Sequence, residues 1–117
     1  VEKLTTEKFK EQIWDFEKEK EWKYKGKLPC ILDFYADWCA PCKFTTPILE
    51  ELNEKYKDKI EVFSIDVDQE SELSKLFNIR SIPTFLFIPI NDKPEIAVGG
   101  LPKNVFENAI RDVLKIK

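Results

Sequence analysis

The stretch "FYADWCAPCKF", Phe34 to Phe44, sets two cysteines three residues apart at the point where an apolar run gives way to polar residues. The run before it, "CILDFYA" from Cys30 to Ala36, is apolar except for Asp33, the pattern of a strand buried on both faces. After it, Phe44, Ile48, Leu52 and Tyr56 recur every four residues and predict an amphipathic helix from about Ala40 to Lys57, with that row inward and a kink at Pro47. Cys39 and Cys42 therefore stand at a strand-to-helix junction beside the polar Asp37, where the chain is expected to surface.

Three roles compete for such a pair. A structural zinc site needs four Cys or His ligands, and this chain has three cysteines and no histidine, with Cys30 placed inside a strand. Core filling suits Cys30 well and suits the junction pair badly. Redox chemistry fits the pair best. The first turn of a helix presents unpaired N–H groups and the positive end of the helix dipole, which favour a thiolate at Cys39. Cys42, one turn on, is close enough to form a disulfide with it, and Pro41 belongs naturally in a first helical turn. That arrangement makes a nucleophile and a resolving thiol.

Working outward, Thr5 and Thr6 offer N-caps for a helix carrying Phe9, Ile13 and Phe16, expected to run on toward Trp22. "EKEKEWKYKGK", Glu17 to Lys27, reads as a charged helix end and loop facing water. "IEVFSIDVD", Ile60 to Asp68, predicts a strand, and Asp68 a cap for a short helix with Leu73, Leu76 and Phe77 on one face, stopped by Asn78. "TFLFI", Thr84 to Ile88, and Ile96 to Val98 form a strand pair around a turn at Asn91-Asp92, and Pro102 opens a last helix with Phe106, Ile110 and Val113 inward. "VEKL" is a possible short leading strand. Early alternation of strand and helix with a late hairpin implies an α/β fold with a mixed sheet covered on both faces.

The 117 residues, 43% hydrophobic and without a low-complexity tract, are expected to form a single domain over 1–117. A net charge of −3, from 19 basic and 22 acidic residues mixed along the chain, offers no basic stripe for nucleic acid or anionic lipid. The longest apolar run, near Ile79 to Ile90, is too short and too interrupted to span a bilayer, so membrane insertion is not expected. The absence of histidine excludes a Cys-His pair and an imidazole base. The absence of methionine is read as removal of an upstream segment, a signal peptide being one explanation.

Three motifs in order, "DFYADWCAPCK", "SIPT" and "VGGLPK", resemble the thioredoxin family over essentially the whole chain. The long first helix and its exit "EKEWKYKGKLP" look like exported, periplasmic members. The resemblance implies a thioredoxin fold and reduction of disulfides in partner proteins, without a cofactor or metal, by a monomer recharged by an upstream thiol or electron donor. It implies that Cys39 attacks the substrate, that Cys42 resolves the mixed disulfide, and that Asp33 is a buried acid whose raised pKa lets it take the Cys42 proton. It also implies a cis peptide at Pro83, leaving the Ile82 backbone free to pair with an extended substrate. Trp38, Ala40, Pro41, Ile82, Pro83, Gly99 and Gly100 would then form the substrate rim.

Three positions depart from the family pattern. Ala40-Pro41 stands where Gly-Pro is usual, Ser64 where many members place a lysine near the buried acid, and Tyr35 where tryptophan is common. A thiol oxidant or isomerase on the same fold is the first alternative, although such relatives tend to carry a histidine between the cysteines. A binding module without turnover is the second.

Overall fold

The computed structural model describes residues 1–117. In chain order the elements are β1 (Glu2–Lys3), α1 (Thr6–Gln12), β2 (Cys30–Tyr35), α2 (Ala40–Lys55), β3 (Glu61–Asp66), α3 (Ser71–Leu76), β4 (Thr84–Ile88), β5 (Glu95–Val98) and α4 (Lys103–Asp112). The five strands form one sheet in the order β1-β3-β2-β4-β5. Strands β1, β3 and β2 run parallel, while β4 is antiparallel to both β2 and β5. This is the thioredoxin fold, a mixed sheet with helices on both faces.

Alternation along β2 divides the core. Cys30, Leu32 and Phe34 point to one face and join Phe9, Phe63 and Leu73 in the cluster roofed by α1 and α3. Ile31 points to the other, where Leu49, Leu52, Phe85, Phe106 and Ile110 pack under α2 and α4. Phe106 meets Phe85 edge to face at 4.8 Å between ring centroids. Asp33 lies on this second face, in register with Ser64 and Phe85.

The first helix is shorter than its periodicity predicts. Thr5 caps α1 by accepting the Lys8 N–H at 3.2 Å, but the helix stops at Gln12. Asp15 accepts the Glu17 N–H at 3.2 Å, a local bond that competes with helical pairing. Trp14, Phe16, Trp22 and Tyr24 then gather on the α1/α3 core, with Trp14 and Trp22 at 5.3 Å and Trp22 stacked on Tyr24. The segment expected to face water thus contributes aromatics to the core: from Glu21 to Lys27 the charged residues are exposed while Trp22, Tyr24 and Gly26 are half-buried. The Tyr24 ring occupies the place a Cβ on Gly26 would need.

Helix α2 continues through Pro47 but turns a different face inward. Its buried residues are Cys42, Thr45, Leu49 and Leu52, whereas Phe44 is 78% exposed. A strict four-residue row drifts around a helix of 3.6 residues per turn, so a row that is inward at Leu52 has rotated outward by Phe44. Thr45 is tolerated inside because its hydroxyl donates to the Cys42 carbonyl at 2.9 Å. Asp68 does not cap α3. The N-cap position is Glu70, whose carboxylate instead accepts the Thr6 N–H and hydroxyl at 2.9 and 3.0 Å, tying α3 to the start of α1. Asn78 takes the left-handed conformation, φ 52°, just after α3. No helix is long and apolar enough to cross a membrane.

The rotated face gives a direct test by chemical denaturation. Leu49→Ala should cost about 2–5 kcal/mol by leaving a cavity in the α2/α4 core, while Phe44→Ala should change stability by no more than about 0.5 kcal/mol.

Candidate functional site

The site lies where β2 ends and α2 begins. Cys39 occupies the N-cap of α2, and its sulfur accepts the Cys42 N–H at 3.2 Å. The helix thereby directs a first-turn N–H donor and its positive end at Cys39. Cys39 and Cys42 are joined in a disulfide, with 5.3 Å between their Cα atoms. Both residues are only 3% exposed, packed with Ala36 and flanked by Tyr35, Val67 and Ile82. The junction surfaces as expected at Ala40 and Pro41, but the cysteine side chains themselves are covered. Cys30 is free, buried in the other cluster under α1 and α3, where burial pushes its thiol up to about 12.

Asp33 is 4% exposed and one of its carboxylate oxygens has no hydrogen-bond partner. Burial alone lifts its pKa to about 7. It borders a cavity of about 160 Å³ shared with Thr46, Leu49 and Glu50 of α2, with Ser64 of β3 and with Lys3 of β1. Thr46 donates its hydroxyl to the Cys42 carbonyl at 3.1 Å, so this cavity lies one helical turn along α2 from Cys42. Ser64 adds no charge, and the carboxyl is left to the effect of burial.

The Ile82–Pro83 peptide is cis. Pro83 is buried and its carbonyl accepts the Gly99 N–H at 2.8 Å, which brings the segment after β5 against the loop before β4. Gly99 has φ 103°, a conformation glycine adopts without strain, while Gly100 lies exposed beside it. Open space lies above both. The backbone N–H groups of Arg80, Ser81 and Ile82 donate to nothing within the chain. Trp38 is 69% exposed, yet its indole N–H donates to Asp68 at 2.8 Å, so the ring is held while its face meets solvent.

The structure brings Cys39 and Cys42 into a bond and packs Ile82 beside them. Asp33 sits beneath α2, and Pro83 and Gly99 are linked to each other. Asp68 escapes a reading of the sequence because it stands where a helix cap is expected, and its indole partner is 30 residues away.

The comparisons with known proteins agree with this geometry. The thioredoxin family profile matches residues 1–112. A thioredoxin of Borreliella burgdorferi is 44% identical over 109 residues, covering 93% of each chain, and one of Rickettsia bellii is 36% identical over 80 residues, 68% of this chain and 76% of that protein. The crystal structure of chloroplastic thioredoxin z superposes with a TM-score of 0.82 at 26% identity, covering 99% of this chain and 96% of the other. A profile spanning almost the whole chain, close relatives and a disulfide at the start of α2 lead to one conclusion: the chain belongs to the thioredoxin family and is a thiol–disulfide oxidoreductase.

Proposed function

We propose that the protein reduces disulfides in other proteins through Cys39 and Cys42, by way of a mixed disulfide. The observation that carries this reading is the disulfide at the N-terminus of α2, with a buried carboxyl, Asp33, bordering a cavity under the same helix.

In the reduced protein, the Cys39 thiolate, favoured by the helix end, attacks one sulfur of a substrate disulfide. The electron pair of that bond leaves on the second substrate sulfur, which takes up a proton. Cys42 then gives its proton to Asp33, and its thiolate displaces the remaining substrate sulfur from Cys39, closing the Cys39–Cys42 disulfide. Two electrons have passed to the substrate, and an upstream thiol donor restores the pair. Trp38, Ala40, Pro41, Ile82, Gly99 and Gly100 form the rim on which the substrate chain lies, Pro83 fixes the loop beside it, and the unpaired Ile82 N–H is free to bond to an extended segment. The alanine and proline between the cysteines supply no cation to hold the thiolate strongly, which favours a reductant over an oxidant.

The chain is taken to act as a single-domain monomer. Export is a separate proposal, tested by cell fractionation. The long first helix offered as its ground is a helix of seven residues followed by an irregular aromatic segment.

Replacing Cys39 with Ser should abolish reduction of an insulin-type substrate. Replacing Cys42 with Ser should instead leave a covalent adduct with substrate, seen as added mass that a reducing agent removes. The potential of the couple, measured in defined dithiol/disulfide buffers, should fall near about −270 mV, the value belonging to thioredoxin itself, rather than near about −120 mV, that of a strong oxidant.

Asp33 gives a pH test. Its folded pKa of about 7 lies above the ordinary 3.8, so between these values the folded protein holds a proton that the unfolded chain has lost. Stability therefore falls as pH rises through this window and stays lower above it, by about 4 kcal/mol in all from this group. In Asp33→Asn this component should vanish from urea denaturation of the oxidised protein measured at several pH values. The resolving step should accelerate as pH rises through about 7 in the unaltered protein. Single-turnover release from the mixed disulfide should lose that inflection in the variant.

A further inference from the structure

Beside the disulfide lies a groove of about 520 Å³ with apolar walls from Trp38, Val67, Ile79 and Ile82. Two of these, Val67 and Ile82, also pack against the cysteine pair, so the groove adjoins the reacting sulfurs. Its walls are held in place. The Trp38 indole is fastened to Asp68 at 2.8 Å, Ile79 donates its N–H to the Ser74 carbonyl at 2.9 Å, and the Thr84 hydroxyl donates to the Ser81 carbonyl at 2.6 Å.

The only cationic residue lining this groove is Arg80. Its side chain is in none of the chain's ion pairs and none of its hydrogen bonds, whereas Arg111 is paired with Asp112 and Lys55 with Glu107. A guanidinium presents a planar fork of donors suited to a carboxylate. Here that fork is uncommitted, two residues from Ile82, whose backbone N–H is also unused.

We infer that the groove between Trp38 and Arg80 is a specificity subsite that favours substrate proteins carrying an acidic side chain close to the attacked half-cystine. The inference rests on the reductase reading and adds a choice among substrates. A substrate strand bonded at Ile82 presents its half-cystine to Cys39. Residues two positions away project from the same face of an extended segment, so a Glu or Asp there comes within reach of the groove and of Arg80. The net charge of −3 works against acidic substrates at long range. A local preference for them would thus be set by Arg80 and not by the whole-molecule field.

The test uses disulfide-bridged peptides identical except for Glu, Gln or Lys two residues from the reactive half-cystine, on either side, with hydroxyethyl disulfide as a small uncharged control. The unaltered protein should show kcat/KM about fivefold higher for the better-placed Glu peptide than for its Lys counterpart, a size fitting an exposed ion pair. Added salt should shrink the ratio. Arg80→Ala should bring it close to one, Arg80→Glu should invert it, and Arg80→Lys should keep most of it. All three variants should reduce the small control at the unaltered rate. Equal rates for all peptides, or a ratio that survives Arg80→Ala, with the control still reduced, would overturn the subsite and leave the reductase reading standing. Failure of the unaltered protein to reduce any of these disulfides would overturn both.

Discussion

The structure depends on the pairing of β2 with a neighbour on each side. From Cys30 to Tyr35 it is in register with β3, and from Cys30 to Phe34 also with β4. A strand laddered on both edges and roofed on both faces has no freedom to turn or slip, because a shift of one residue would exchange the two halves of the core. Two chemical facts follow. A carboxyl in the middle of such a strand stays out of water whatever it costs, which is the condition of Asp33. The residues that follow Tyr35 leave the sheet at a fixed point, and there the chain places its sulfurs.

Covering the disulfide and keeping it reactive are compatible because access is supplied around the sulfurs. Ala40 and Pro41 are exposed, the loop before β4 offers unused backbone donors, and open space lies above Gly99. In the proposed reaction a partner that fills this space would bring its own sulfur to Cys39 as water leaves, where a low local dielectric strengthens the pull of the helix end on the developing charge. The burial that lifts the Asp33 pKa belongs to the same economy of exclusion, with Ser64 contributing no cation to offset it.

Much of this was legible from local pattern. The apolar run of β2, the short stop at Asn78 and the inward Phe106 and Ile110 of α4 follow from periodicity and cap chemistry, which operate over a few residues. The cysteine pair was legible for the same reason. What escaped was decided by partners distant in sequence. The early end of α1 reflects aromatics that find the core from an irregular segment, with the Lys25 N–H bonding back to the Ile13 carbonyl at 2.8 Å. The inward face of α2 is set by the sheet it meets, and periodicity alone leaves its phase open by a residue. Asp68 stands where a cap is expected and Glu70 at the N-cap position itself, yet one holds an indole 30 residues away and the other a helix start 64 residues away.

The segment after α1 has a consequence for how the molecule behaves in a crowd. Between Trp22 and Leu28 the half-buried positions are Trp22, Tyr24, Gly26 and Leu28, while Lys23, Lys25 and Lys27 stand outward like the teeth of a comb. A row of ammonium groups along the outer side of these aromatic residues makes it costly for another molecule to cover them, since each charge would lose its water. The same few residues thus close one side of the core while keeping its outer side wet.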